Sequence, residues 1–154
     1  MTLTRRAQLL LGLAAVALIA GFLPWAGNGL FEDSGQGSTS ALKVTTQILW
    51  DTTPASLHGT PLIIPLVILV AATVAGVFVR GARWLTIAGA AGLVALGLLY
   101  LNGLRALYAD DMYNLPGSTF GSFGIGAWLA TLAGAAALVV AIRSDIDSAA
   151  PADD

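Results

Sequence analysis

Four apolar stretches, at residues 7–25, 61–79, 84–104 and 120–142, constrain this chain more than any other feature. A bilayer core about 30 Å thick is crossed by about 20 apolar residues rising 1.5 Å each. None of the four stretches contains Asp, Glu, Lys or Arg. The pattern predicts an all-α membrane protein, a four-transmembrane-helix bundle. Residues 1–143 form its single domain, and 144–154 form a disordered acidic tail. Composition agrees: 56% of residues are hydrophobic and 10% charged, against roughly 25% charged in ordinary soluble domains.

Basic residues set the expected threading. Arg5 and Arg6 precede the first span, Arg80 and Arg83 link the second and third, and Arg143 closes the fourth. Only Lys43 and Arg105 lie in the other two loops. The positive-inside rule then puts both termini in the cytoplasm of a multi-pass cell-membrane protein, with loops 26–60 and 105–119 outside. A cleaved signal peptide is the competing reading of the first span. The run is long for a signal h-region, and Leu18-Ile19-Ala20 is a poor cleavage site, so the first span is expected to stay as an anchor.

Local signals place the span ends. Pro24 should stop the first helix near Phe22. Trp25, Trp50 and Trp84 read as interface anchors at headgroup level. Thr60 reads as the N-cap of the second span, with Pro61 at its first helical position and Pro65 able to bend it. Gly81 suits a tight turn between spans two and three, which should form a hairpin. The larger outer loop is irregular over 27–40. Residues 41–50 then read as a short amphipathic helix on the membrane face, or as a short strand, because Val44-Thr45-Thr46 is β-prone.

Span four carries a stripe of small residues. Gly126, Ala130, Ala133, Ala137 and Ala141 recur at steps of four and three, with Gly134 beside them. Such a face lets helix backbones approach closely, which favours association in lipid. Shorter versions occur at Ala88, Gly92 and Ala95, and at Ala14, Ala17 and Gly21.

Chemistry is sparse. Glu32, Asp33, Asp51, His58, Asp110 and Asp111 fall in the outer loops without a recognisable metal-ligand spacing, so no metal site is expected. The motifs of zinc hydrolases, serine hydrolases and P-loops do not occur, so no catalytic residue and no cofactor are assigned. Cysteine is absent, which removes disulfides and thiolate chemistry. No basic stripe argues for nucleic acid. Thr73, Thr86, Tyr100, Asn102 and Thr131 are polar groups of the spans, and they form no nucleophile–base pair.

Phe22-Leu23-Pro24-Trp25 after the first span, the Gly/Ser-rich outer loop, and Phe123-Gly124-Ile125-Gly126-Ala127-Trp128-Leu129 opening the fourth resemble small four-span prokaryotic membrane proteins of unknown function. The plan is also similar to the claudin-like superfamily: four spans, both ends inside, a larger first outer loop and an L-P-x-W-like exit from span one. The resemblance implies a four-helix bundle. That family's first-loop G-L-W with its cysteine pair is missing here, so junction formation does not carry over. The expected role is non-enzymatic interaction. The partners are the bilayer and either another membrane protein or a second copy, as for an accessory or assembly subunit. The alternative is a small oligomeric transporter or channel subunit, which the lack of ionisable residues in the spans disfavours.

Overall fold

The computed structural model describes residues 4–26, 39–49, 60–79, 81–109 and 124–149. Four helices dominate: α1 (Arg5–Ala20), α2 (Ile63–Phe78), α3 (Arg83–Ala109) and α4 (Ile125–Ala149). Between α1 and α2 lie β1 (Pro24–Ala26), β2 (Thr39–Ser40) and a 3₁₀ turn over Thr46–Leu49. Two helices are long and apolar enough to cross a membrane, over Arg83–Arg105 and Ile125–Arg143, with mean hydropathies of 1.9 and 2.2. α2 is equally apolar in character but shorter. At 16 residues each, α1 and α2 rise only about 24 Å.

Successive helices run antiparallel. Gly21 at the end of α1 faces Ile63 and Leu66 at the start of α2. Gly76 of α2 faces Thr86 of α3, and Gly89 of α3 faces Thr73 of α2. Gly134 of α4 lies against Ala90 and Leu93 of α3, while Gly126 lies against Ala20 of α1. The main packing is therefore a closed ring: α1 on α2, α2 on α3, α3 on α4 and α4 on α1. Thr86 Oγ1 ties the α2–α3 hairpin by donating to the Thr73 carbonyl at 3.2 Å. Gly81 turns that hairpin with φ of 83°, a left-handed conformation that suits glycine.

Helix ends differ from the sequence expectation in three places. α1 stops at Ala20 rather than near Phe22. Its chain tightens first, as the amides of Gly21, Phe22 and Leu23 donate to the carbonyls of Leu18, Ile19 and Ala20 at 3.1, 3.0 and 3.2 Å. α2 begins at Ile63 with Leu62 as its N-cap, not at Pro61 with Thr60 as cap. Thr60 instead accepts from the Thr46 amide at 2.9 Å, and Pro61 bridges to Thr45. Pro65 then falls in the first turn of α2, where an amide has no intrahelical acceptor to lose, and it forces no bend. α4 continues through Ala149, where an irregular tail was expected from Ser144. No Gly or Pro follows Gly134 until Pro151, so nothing local stops the helix earlier.

The segment joining α1 and α2 folds as a cap on one end of the ring. Ala41 serves both helices: its amide donates to the Gly21 carbonyl at 3.1 Å, and its carbonyl accepts from the Ile63 amide at 3.0 Å. The Leu62 amide donates to the Val44 carbonyl at 2.7 Å, and the Gly124 amide to the Trp25 carbonyl at 2.7 Å. These bonds satisfy backbone groups that helix ends leave open. Val44, Ile48 and Leu49 are buried, and among the described large apolar residues of this segment only Leu42 points outward. The expected surface-lying amphipathic helix is thus replaced by a 3₁₀ turn whose apolar side chains face the protein. A four-residue turn has no face wide enough for a membrane surface.

Candidate functional site

The six small residues of the stripe all lie inside the ring. Ala130, Ala133, Ala137 and Ala141 are buried, and so are Gly126 and Gly134. A Cβ on Gly126 would meet the Ala20 carbonyl oxygen at 2.5 Å and Trp25 Cδ1 at 2.8 Å. On Gly134 it would meet Leu93 Cβ at 2.7 Å. Ala127, which lies outside the stripe, is fully buried as well. Small residues line the contacts of α4 with both α1 and α3, so the face is occupied within this chain.

Trp25 corrects the anchor assignment. It is 0% exposed, and its indole N–H donates to the Ala20 carbonyl at 2.9 Å. Its ring meets the fully buried Tyr100 ring edge-on, with centroids 5.3 Å apart and planes at 71°. A side chain so enclosed presents no ring surface to lipid headgroups. The cause is the tightened turn before Pro24, which swings the strand β1 back over the end of the ring between α3 and α4. Trp84 is 64% exposed at the start of α3, a position open to an interface role. Trp50 lies outside the described residues, as do Glu32, Asp33, Asp51, His58, Asp110 and Asp111.

Two threonines of the helices bond back onto their own backbone. Thr73 Oγ1 donates to the Leu69 carbonyl at 2.9 Å and Thr131 Oγ1 to the Ala127 carbonyl at 2.7 Å. These bonds keep hydroxyls satisfied without water. Asn102 is exposed on α3. No group of three metal-ligating side chains occurs among the described residues.

One feature lay hidden in the sequence. At the end of the ring opposite the cap, a cavity of about 370 Å³ opens between the first turns of α1 and α3 and the last turn of α2. Thr4, Arg6, Arg83 and Thr86 give it a polar lining. Arg6 and Arg83 were legible only as markers of threading, because nothing in their spacing announces that they line one space across a helix hairpin. Comparison with protein-family models, with curated proteins and with solved structures gives no match, so the functional reading rests on this chain's own residues.

Proposed function

We propose that this chain crosses the bilayer four times with both termini cytoplasmic. It acts without enzymatic chemistry, as an accessory or assembly partner of another membrane protein or of a second copy of itself. The observation that carries this reading is the outward surface of the helices. Ile19 of α1, Ile68 of α2, Leu98 of α3 and Leu132 of α4 are 60%, 61%, 57% and 59% exposed. Soluble monomers rarely expose a contiguous apolar patch above a few hundred Å². Here large apolar side chains point outward from every helix, which suits hydrocarbon on all sides.

The short α1 and α2 fit this reading through the cap. Irregular backbone at membrane depth is tolerated where protein encloses it. The cap residues Trp25, Ala41 and Ile48 are buried, with Ile48 against Gly103 of α3 and Trp25 against Gly126 in the first turn of α4. Interaction is favoured over ion-coupled transport because no ionisable residue lies within the four apolar stretches. Since the small-residue stripe is occupied internally, a partner reads the outward helix faces or the cap.

Purification of the tagged chain from native membranes after mild crosslinking tests the role. A defined homo- or hetero-oligomeric complex is the expected result. Gradient-driven ion or substrate uptake by the protein alone in liposomes would overturn it in favour of the transporter reading. For threading, reporters active only outside the cytoplasm are fused at the C-terminus and, separately, inserted near Gly35. Activity from the insertion alone is expected, and the reverse pattern defeats the orientation.

A further inference from the structure

We infer that the cavity between α1, α2 and α3 is a binding site for a phosphate-bearing anion, with a phospholipid headgroup and soluble phosphate as its two possible sources. The lipid source rests on the membrane reading above; the phosphate chemistry does not. Two arginines line this cavity from different helices, Arg6 from α1 and Arg83 from α3. Arg6 Nε is buried from solvent and makes no hydrogen bond. That N–H is closed off from the cavity as well, so an anion seated there is met by the rest of the two lining guanidinium groups. Phosphate matches the planar fork of arginine well.

The remaining lining is consistent with the same ligand. Thr4 Oγ1 accepts from the Ala7 amide at 3.3 Å, which leaves its own O–H free to donate. Thr86 Oγ1 already donates to Thr73, so its proton is committed and it adds no donor to the site. Among the described residues, none that lines the cavity is a carboxylate. Arg6 and Arg83 stand in the first turns of their helices, where the open amides add to the positive field. Leu10 and Val77 also border the space and offer an apolar wall to the glycerol end of a lipid. The volume falls within the roughly 300–1,000 Å³ of ligand pockets. Basic pockets between membrane helices are a recurrent way to hold anionic headgroups.

The test uses the full chain. In neutral detergent, thermal stability is followed against inorganic phosphate. In nanodiscs of phosphatidylcholine, the phosphatidylglycerol fraction is raised, and native mass spectrometry counts retained lipid. The expected result is a rise in Tm and retention of anionic lipid, with apparent affinity weakened about tenfold or more by Arg6→Gln and by Arg83→Gln. Arg5→Gln is the control, since Arg5 is exposed and lies outside the lining. Arg83 is itself exposed, so Arg83→Gln reads the site even where Arg6→Gln fails to fold. An effect from inorganic phosphate alone assigns the site to a soluble ligand. An effect from phosphatidylglycerol alone assigns it to a headgroup. Equal weakening by Arg5→Gln would show diffuse surface charge and overturn the site. Absence of any response to either probe would overturn it too. The reporter fusions fail or succeed independently of the phosphate titration in detergent.

Discussion

Replacing Trp25 with Phe should destabilise the fold far more than the same change at Trp84. The indole N–H bond to Ala20 at 2.9 Å contributes about 0.5–1.5 kcal/mol net. Its loss sits near the centre of that range, because the Ala20 carbonyl keeps the Leu23 amide at 3.2 Å. Shrinking a fully buried indole to phenyl leaves a void on the order of 40 Å³, which at about 24 cal/mol per Å³ adds about 1 kcal/mol. The edge-on contact with Tyr100 at 5.3 Å is partly kept, and its weakening adds about 0.5 kcal/mol. The total is about 2–3 kcal/mol. With roughly 2–4 °C per kcal/mol for a chain of this size, Tm in detergent should fall by about 4–12 °C. Trp84, 64% exposed, should cost under about 0.5 kcal/mol on the same change, a shift of about 2 °C or less. Matched detergent, protein concentration and scan rate make the comparison direct. Equal shifts at the two positions, or a larger one at Trp84, would refute the enclosed position of Trp25.

Enlarging the stripe should separate inner from outer positions of α4. Ala130→Leu or Ala133→Leu overpacks a buried contact and should cost about 1–3 kcal/mol; Val139→Leu, at a site 51% exposed, should stay within about 0.5 kcal/mol. Equal tolerance in detergent melts would mean the α4 contacts are wrong. At Gly81, where φ is 83° and an added Cβ would meet nothing within 4 Å, Ala should cost about 1 kcal/mol from backbone conformation alone, and Asn less than Ala because it tolerates the left-handed region. An Ala variant as stable as the parent removes the left-handed turn. Thr86→Val deletes the 3.2 Å bond to Thr73 and should lower stability by about 0.6 kcal/mol; a loss of several kcal/mol would mean that the hydroxyl carries more than this one bond.

What the sequence displayed and what it hid divide along one physical line. Features set by local composition were visible: the apolar runs, the small-residue spacing on α4, and a glycine in the α2–α3 turn. Each depends on residues within a few positions of one another. The enclosure of Trp25 was not legible because a tryptophan after an apolar run has the same local signature at an interface and in a closed core. The deciding partner, Tyr100, stands 75 positions away in the chain. Thr60 was misplaced for a similar reason. Thr-Pro is a good local helix start, yet Val44 and Ala41 supply backbone acceptors that satisfy the Leu62 and Ile63 amides, so the helix start shifts inward without loss of hydrogen bonds. The arginine-lined cavity was invisible on the same ground, since Arg6 and Arg83 come to line one space only once the α2–α3 hairpin packs on α1.

The cap joins these strands of argument. On the proposed four-span reading, a 16-residue helix falls short of a 30 Å hydrocarbon core by about 6 Å, so α1 and α2 alone would leave backbone ends at a depth where unpaired groups are costly. Ala41 takes the last free carbonyl of α1 and gives its own carbonyl to the first amide of α2. Trp25 closes the gap toward α3 and α4, while Ile48 packs its carbonyl against Gly103 of α3. The fit leaves no room there for a Cβ on Gly103. Gly103→Ala therefore forces the 3₁₀ turn outward, although the site is remote from α1. If the cap does shield the short helices, this one methyl group should speed amide exchange at Ala41 and Ile63 more than at the α2–α3 contacts around Thr73. Unchanged protection at Ala41 and Ile63 would separate the cap from the helix ends and leave their satisfaction to another source.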